Sequence, residues 1–229
     1  MRMNNLKEAI NIVEKKNLYR LQSDDNEIIK FKPWLGDLFS CFYDRIMEKS
    51  IFPKKFKANI QSHFKILKNE FNDTHNKDIL EIATGSGNSA YFLSNDINYY
   101  GIDISTGLFQ EAFKKFINLE FKNVKLFVAN VDSLPFNDNS FDICICNLSL
   151  FFLKNTEIVI SEIKRILKTD GVFVSSVPVP ERNKHNTKIR GVLHTEDELK
   201  MFFQKYNFQF ERIPYVNGAL LYFKSKLLK

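Results

Sequence analysis

The chain has 229 residues, 44% of them hydrophobic and 26% charged, which gives room for one large α/β domain with a substantial core. The net charge is +6, but Lys is spread along the whole chain rather than gathered into a basic arm, a pattern that reads as solvated surface more than as a nucleic-acid footprint. Three cysteines cannot all pair, the start has no apolar leader core, and no apolar run reaches the roughly 18 residues of a membrane span. A disulfide scaffold and a membrane-spanning protein are therefore not expected, and a soluble cytoplasmic protein is.

Residues 1–75 carry helical periodicity and many aromatics, with no clear strand. Helices are predicted over about 6–16, 37–49 and 54–70, together forming a helical cap or lid over residues 76–229. Within DLFSCFYDRIMEK, Phe39, Phe42, Tyr43 and Ile46 recur at the i, i+3, i+4, i+7 spacing of one helix face.

From residue 77 the texture changes to short apolar runs alternating with amphipathic stretches, the signature of βαβ units and a mostly parallel sheet. Strands are predicted at about 77–83, 99–104, 124–129, 141–146 and 172–177. Helices are predicted from the glycine turn to about 93, then over 106–118 and 155–167. A polar, basic loop over 178–193 precedes Thr195-Glu-Asp-Glu198, a capping box that opens a helix to about 206. Two last strands, about 208–213 and 219–224, flank Asn217-Gly218 as a closing antiparallel hairpin.

The segment Asp78-Ile-Leu-Glu-Ile-Ala-Thr-Gly-Ser-Gly-Asn88 is a strand running into a tight glycine turn that opens a helix. Glycine permits positive φ and close approach of a ligand to the backbone, and helix-start amides can hydrogen-bond it. Alone this is weak, because Gly85-Ser-Gly87-Asn-Ser-Ala90 also fits the dinucleotide fingerprint, with Asp103 near the expected ribose-binding position. Three features oppose a nicotinamide dinucleotide. Glu81 precedes the turn, and a carboxylate there suits an ammonium better than a pyrophosphate. Asp132 follows the third strand, where it can accept from an adenine amino group. The chain also closes with a helix and a hairpin instead of a second nucleotide-binding half.

Taken in order, Glu81 through Gly87, Gly101-Ile-Asp103-Ile-Ser, Asn130-Val-Asp132-Ser-Leu-Pro-Phe, Phe141-Asp142-Ile-Cys-Ile-Cys-Asn147 and Ile163 through Gly171 resemble the successive motifs of class I S-adenosylmethionine-dependent methyltransferases. They most resemble the branch that includes ubiquinone/menaquinone C-methyltransferases and many small-molecule enzymes. The resemblance covers about residues 77–177 and implies a Rossmann-like seven-stranded sheet with its last strand antiparallel and helices on both faces. Ala83 stands where the family has its first loop glycine.

The resemblance further implies that Ala83, Thr84, Gly85 and Gly87 form the loop under the methionine moiety and that Glu81 holds its amino group. Asp103 would accept the ribose hydroxyls and Ile104 would pack on the adenine. Val131 and Asp132 would read the adenine edge, Asn147 would face the sulfonium region, and Tyr43 would close over the ligand from the cap. Asp103 and Asp132 could instead cap turns, Glu81 could be a satisfied buried carboxylate, and Asn147 a turn residue.

No metal ligand spacing appears among the four histidines, and no metal is expected. His63 and His75 read as surface residues, and His185 and His194 as surface or capping groups. No base is evident in Leu148 through Leu153, so no catalytic residue is assigned. Transfer would rest on proximity and desolvation in an aromatic-lined acceptor pocket. A small organic acceptor leads. RNA, through Arg182, Lys184, Lys188 and Arg190, and a cofactor-binding pseudoenzyme or partner activator are the alternatives.

Overall fold

A computed structural model describes residues 5–7, 10–15, 18–22, 25, 27–31, 37 and 40–229. At its centre lies β3 (Asp78–Ile82), flanked by parallel strands β4 (Asn98–Asp103) and β6 (Phe141–Asn147). Beyond β4 comes β5 (Asn123–Val128), and beyond β6 come β7 (Leu167–Pro178), β9 (Leu220–Leu227) and β8 (Phe208–Asn217). Within this order only β9 runs antiparallel to its neighbours. These seven strands are the α/β sheet that the sequence implied.

The described sheet has nine strands, however. β1 (Ile12–Lys15) and β2 (Leu18–Leu21) form an antiparallel hairpin, and β2 lies parallel to β5 at the edge. The helix predicted over 6–16 is corrected accordingly. Four-residue strands leave almost no periodicity to read, and the pairing that fixes them is non-local: Tyr19 stacks on Phe127 with ring centroids 5.0 Å apart. Edge pairing also covers the open side of β5.

From Ser40 to Glu70 the chain is largely helical, in pieces. A 3-10 turn (Ser40–Phe42) leads into α1 (Tyr43–Ile46), which widens into a π-type helix (Met47–Phe56) holding Pro53. It stops at Lys57, whose left-handed φ of 52° ends the turn. Asn59 then caps α2 (Ile60–Glu70), its side chain accepting from the Ser62 amide. The predicted helix over 54–70 is thus broken at its first turns. Phe39, placed by spacing on a helix face, lies outside the described residues.

Three amphipathic helices pack around the sheet: α3 (Thr106–Asn118), α4 (Thr156–Ile166) and α5 (Glu196–Lys205). α3 buries Leu108, Phe109, Ala112 and Phe116, and α4 buries Val159, Ile160, Ile163 and Ile166, the stripes their spacing predicts. Both bonds of the Thr195–Glu198 capping box are present. One expected helix is shorter: after the glycine turn the chain makes a single 3-10 turn (Asn88–Tyr91). The core is rich in phenylalanine, with Tyr100, Phe127, Phe136 and Phe141 meeting edge to face or stacked. Among the described residues no helix is long and apolar enough to cross a membrane.

Candidate functional site

Strand order reverses at β3. The chain leaves β3 for β4 on one side and later returns to β6 on the other, which opens a crevice at the carboxyl ends of the strands. Four loops converge there, after β3, β4, β5 and β6, and the site residues expected in the sheet domain lie in these loops or in the strands that lead into them.

The turn after β3 is held in an unusual backbone shape. Ala83, Gly85 and Gly87 all have positive φ, at 55°, 59° and 71°. The two glycines differ in surroundings. A Cβ built on Gly87 would lie 2.8 Å from the Ala112 Cβ, so α3 packs directly on the turn. A Cβ built on Gly85 would meet nothing within 4 Å, so this residue faces open space. Ala83 tolerates its left-handed conformation at a cost of about 1–2 kcal/mol that a glycine would not incur.

Asp103, ending β4, ties the two central loops together. Its Oδ2 accepts from the Gly85 amide at 2.8 Å and its Oδ1 from the Ser105 amide at 2.8 Å. Each oxygen keeps a further lone pair. Burial, opposed by these amides, pushes the Asp103 carboxyl above the usual range. Ile104, the next residue, is 41% exposed despite its size. After β5, Val131 is buried and Asp132 is exposed, accepting from the Asn130 side chain at 3.1 Å. Asn147 turns its side-chain oxygen to the Ser176 hydroxyl and its carbonyl to Ser149.

Glu81 is placed differently from the sequence expectation. Its side chain lies beneath the turn, 2% exposed, and accepts from the Ser89 hydroxyl at 2.6 Å and from the Tyr99 hydroxyl. Burial pushes its pKa up to about 7. The fixed negative charge invoked against a diphosphate is thereby weakened, and the antiparallel β9 between β7 and β8 becomes the better discriminator.

The amino-terminal helix reaches this crevice through contacts that spacing did not reveal. Asp44 accepts from the Ser86 hydroxyl at 2.6 Å and from Lys115 at 2.7 Å, and Lys115 also reaches the Asn88 side chain. Asp37 accepts from the Ser105 hydroxyl at 2.6 Å and the Gly107 amide at 3.1 Å. Both aspartates therefore lock the segment onto the glycine turn and onto the start of α3. The Tyr43 side chain is half-buried, and desolvation of its hydroxyl together with the nearby Asp103 and Asp44 carboxylates pushes its pKa up to about 12. On the far side, Glu162 accepts the Leu134 amide and Arg165 donates to the Leu134 and Phe136 carbonyls, which holds the loop bearing Val131 and Asp132.

His63, expected at the surface, is fully buried. Its Nδ1 lies 3.0 Å from the Tyr222 hydroxyl, and burial lowers its pKa to about 3. The face His63, Ile66, Leu67 was the available signal, since these three share one stripe of α2. His75, by contrast, is exposed and bonds Asp96. Among the described residues no cluster of three or more His, Cys, Asp or Glu could hold a metal ion.

Beside the crevice, between Tyr43 and the residue following Asn147, opens a cavity of ≈ 480 Å³. Ile46, Met47, Ile51, Phe56, Leu148, Phe151 and Phe152 give it an apolar wall. This volume is within the usual range for small-molecule sites. Leu148 adopts φ 56°, a strained turn that carries the chain from β6 into this wall.

This topology, with its glycine turn and the acidic residue ending the next strand, is a Rossmann-like fold similar to that of class I S-adenosylmethionine-dependent methyltransferases. Residues 80–175 match the family model described as "Methyltransferase domain". Over 107 residues the chain is 36% identical to the ubiquinone/menaquinone biosynthesis C-methyltransferase UbiE of Rickettsia prowazekii, an alignment covering 43% of each chain. The chain thus spans less than half the length of the curated relatives it matches, and its resemblance is to that branch of the class. In fold it is similar to an S-adenosylmethionine-dependent methyltransferase from Aquifex aeolicus, at TM-score 0.64 and 16% identity over 80% of this chain and 96% of that one. It is also similar to a structure of a Haloferax volcanii complex between the Trm112 methyltransferase activator and a methyltransferase, at TM-score 0.66 and 16% identity over 87% and 100%.

Proposed function

We propose that the chain is an S-adenosylmethionine-dependent methyltransferase acting on a small organic acceptor. The observation that carries this reading is the pairing of two sites. Gly85 opens onto empty space beside Asp103 at the strand ends, and an apolar cavity adjoins it across Tyr43 and Leu148.

The residues fit the cofactor. Gly85 leaves room for a ligand against the backbone, and the Asp103 oxygens keep free lone pairs for two ribose hydroxyls. Ile104 offers an exposed apolar face for a base, and the Asp132 carboxylate is exposed for an adenine amino group. Glu81 would act from beneath the turn, fixing its shape through Ser89, rather than by holding the ammonium directly.

The cofactor supplies an electrophilic methyl on its sulfonium. The protein then has to orient the acceptor, exclude water and keep the nucleophile in line. Tyr43 and the wall of Leu148, Phe151 and Phe152 perform the exclusion. No general base is assigned to the cavity wall, so the reading fits an acceptor whose nucleophile is already electron-rich, as a quinol carbon is. That choice accords with the name of the Rickettsia relative, a ubiquinone/menaquinone biosynthesis C-methyltransferase. The RNA reading loses support because Arg182 spends its guanidinium on the Tyr215 and Leu220 carbonyls, while Lys188 and Arg190 line an apolar cavity.

The test is formation of S-adenosylhomocysteine from S-adenosylmethionine with a panel of quinols, phenols and aliphatic acids, read by mass spectrometry. Product with at least one acceptor, lost in Asp103→Asn, is expected. Product formation that Asp103→Asn leaves unchanged overturns the reading.

A further inference from the structure

The apolar cavity beside the crevice has a charge pattern of its own. Its charged lining residues are Lys55, Lys188 and Arg190, and among the described residues no Asp or Glu lines it. None of these three cations forms an ion pair with a carboxylate among the described residues. Carboxylate pairs form at Lys115–Asp44, Lys168–Asp142 and Lys205–Glu157, whereas Lys54, Lys57 and Lys184, like the three cavity cations, form none among the described residues. Three unmatched cations around one apolar mouth therefore leave a local excess of positive charge where a ligand would enter.

The rim is also built to stay in place. The Thr187 hydroxyl donates to the Lys55 carbonyl, joining the basic loop to the end of the π-type helix. On the other side the Val192 amide donates to the Phe151 carbonyl at 2.7 Å. Gly191, at φ 113°, passes so close that an added Cβ would lie 2.5 Å from that carbonyl. Lys188 and Arg190 fall between these two ties, so the backbone carrying them is anchored at both ends over the aromatic wall.

We propose that the acceptor is an amphiphilic anion, with an apolar ring or chain against Phe151, Phe152 and Ile51 and a carboxylate or similar headgroup between Lys55, Lys188 and Arg190. The inference deepens the methyl-transfer reading and rests on it. The apolar wall supplies the binding energy through burial, and the cations supply selection, because a neutral or cationic head leaves them unmatched.

A matched series tests it: 4-butylbenzoate, 4-butylbenzyl alcohol and 4-butylbenzylamine, titrated calorimetrically into the full chain at pH 7 with S-adenosylhomocysteine present. The benzoate is expected to bind at least tenfold tighter than the alcohol, and the amine weakest. The double variant Lys188→Glu/Arg190→Glu, on an exposed loop, should erase the benzoate's advantage, while Phe152→Ala weakens all three probes together. Equal affinity for benzoate and alcohol, a preference for the amine, a preference unchanged by charge reversal, or no binding of any probe overturns the proposal. So does co-sedimentation with phosphatidylglycerol vesicles when soluble benzoate gains nothing over the alcohol, because that assigns the cations to a lipid surface. Titration of S-adenosylhomocysteine alone separates the two failures: no heat there, with the benzoate preference intact, sinks methyl transfer and not the anion-selective cavity.

Discussion

The Asp103 carboxylate accepts the Gly85 amide at 2.8 Å, joining the end of β4 to the turn after β3 across the point where strand order reverses. One side chain thus both shapes the glycine turn and faces the space the turn leaves open. Asp103→Asn keeps the size but turns an amide NH2 toward one of the two backbone amides, Gly85 or Ser105, that the carboxylate accepts from, so a modest fall in melting temperature is expected. A charge-assisted bond to a ribose hydroxyl contributes about 1.5–3 kcal/mol, so S-adenosylhomocysteine affinity should also fall at least tenfold in calorimetry. A large fall in melting temperature with affinity intact would make Asp103 a purely structural residue.

The two turn glycines should respond to alanine in opposite ways. Gly85→Ala has space for its methyl and incurs only the left-handed backbone penalty, about 1–2 kcal/mol, while the methyl enters the ligand's space. Gly87→Ala adds to the same penalty a 2.8 Å clash with Ala112 and should cost more than about 2 kcal/mol. Urea unfolding combined with ligand titration separates them: binding is lost first at Gly85, stability first at Gly87.

The Asp44–Lys115 pair, at 2.7 Å, fastens the amino-terminal helix to the glycine turn. Asp44 is 45% exposed and Lys115 only 10%, so solvent screens the pair in part. A double-mutant cycle with Asp44→Ala and Lys115→Met should give a coupling of about 0.5–1 kcal/mol. Release of S-adenosylhomocysteine should also speed up in either single variant. Additive effects and an unchanged off-rate would remove the fastening role.

Glu81 and His63 predict opposite pH dependences. The folded pKa of Glu81 lies near 7, above its ordinary value, so its contribution is fully present at acid pH and is lost as pH rises through about 4.5 to 7. The folded pKa of His63 is depressed to about 3, so its contribution is present above about pH 6.5 and is lost as pH falls toward 3. In thermal melts between pH 5 and 8, wild type should gain on Glu81→Gln as pH falls, by up to ~3 kcal/mol, and lose ground to His63→Gln over the same range. A pH-independent difference in either comparison refutes the corresponding assignment.

The sheet domain was legible because its signals are local. DILEI, YYGID and FDICIC are short apolar runs at even spacing, and Thr195–Glu198 spells its own cap. The glycine turn and Asp103 were readable for the same reason. What escaped depends on distant partners. The β1–β2 hairpin exists through its pairing with β5, more than a hundred residues away. Asp44 and Asp37 acquire meaning only against Lys115, Ser86 and Ser105. The surroundings of Glu81 are also set at a distance, because its burial against Tyr99 and Ser89 depends on β4 and the turn together. The anion-selective cavity likewise joins residues near 50, 150 and 190, and no window of sequence contains all three.

The central claim is that the crevice takes a thioether nucleoside and not a dinucleotide. Calorimetric titration of the full chain with S-adenosylhomocysteine and, in parallel, with NAD tests it most directly. Saturable micromolar or tighter binding of the first and no measurable heat from the second are expected. Binding of NAD with no response to S-adenosylhomocysteine would contradict it.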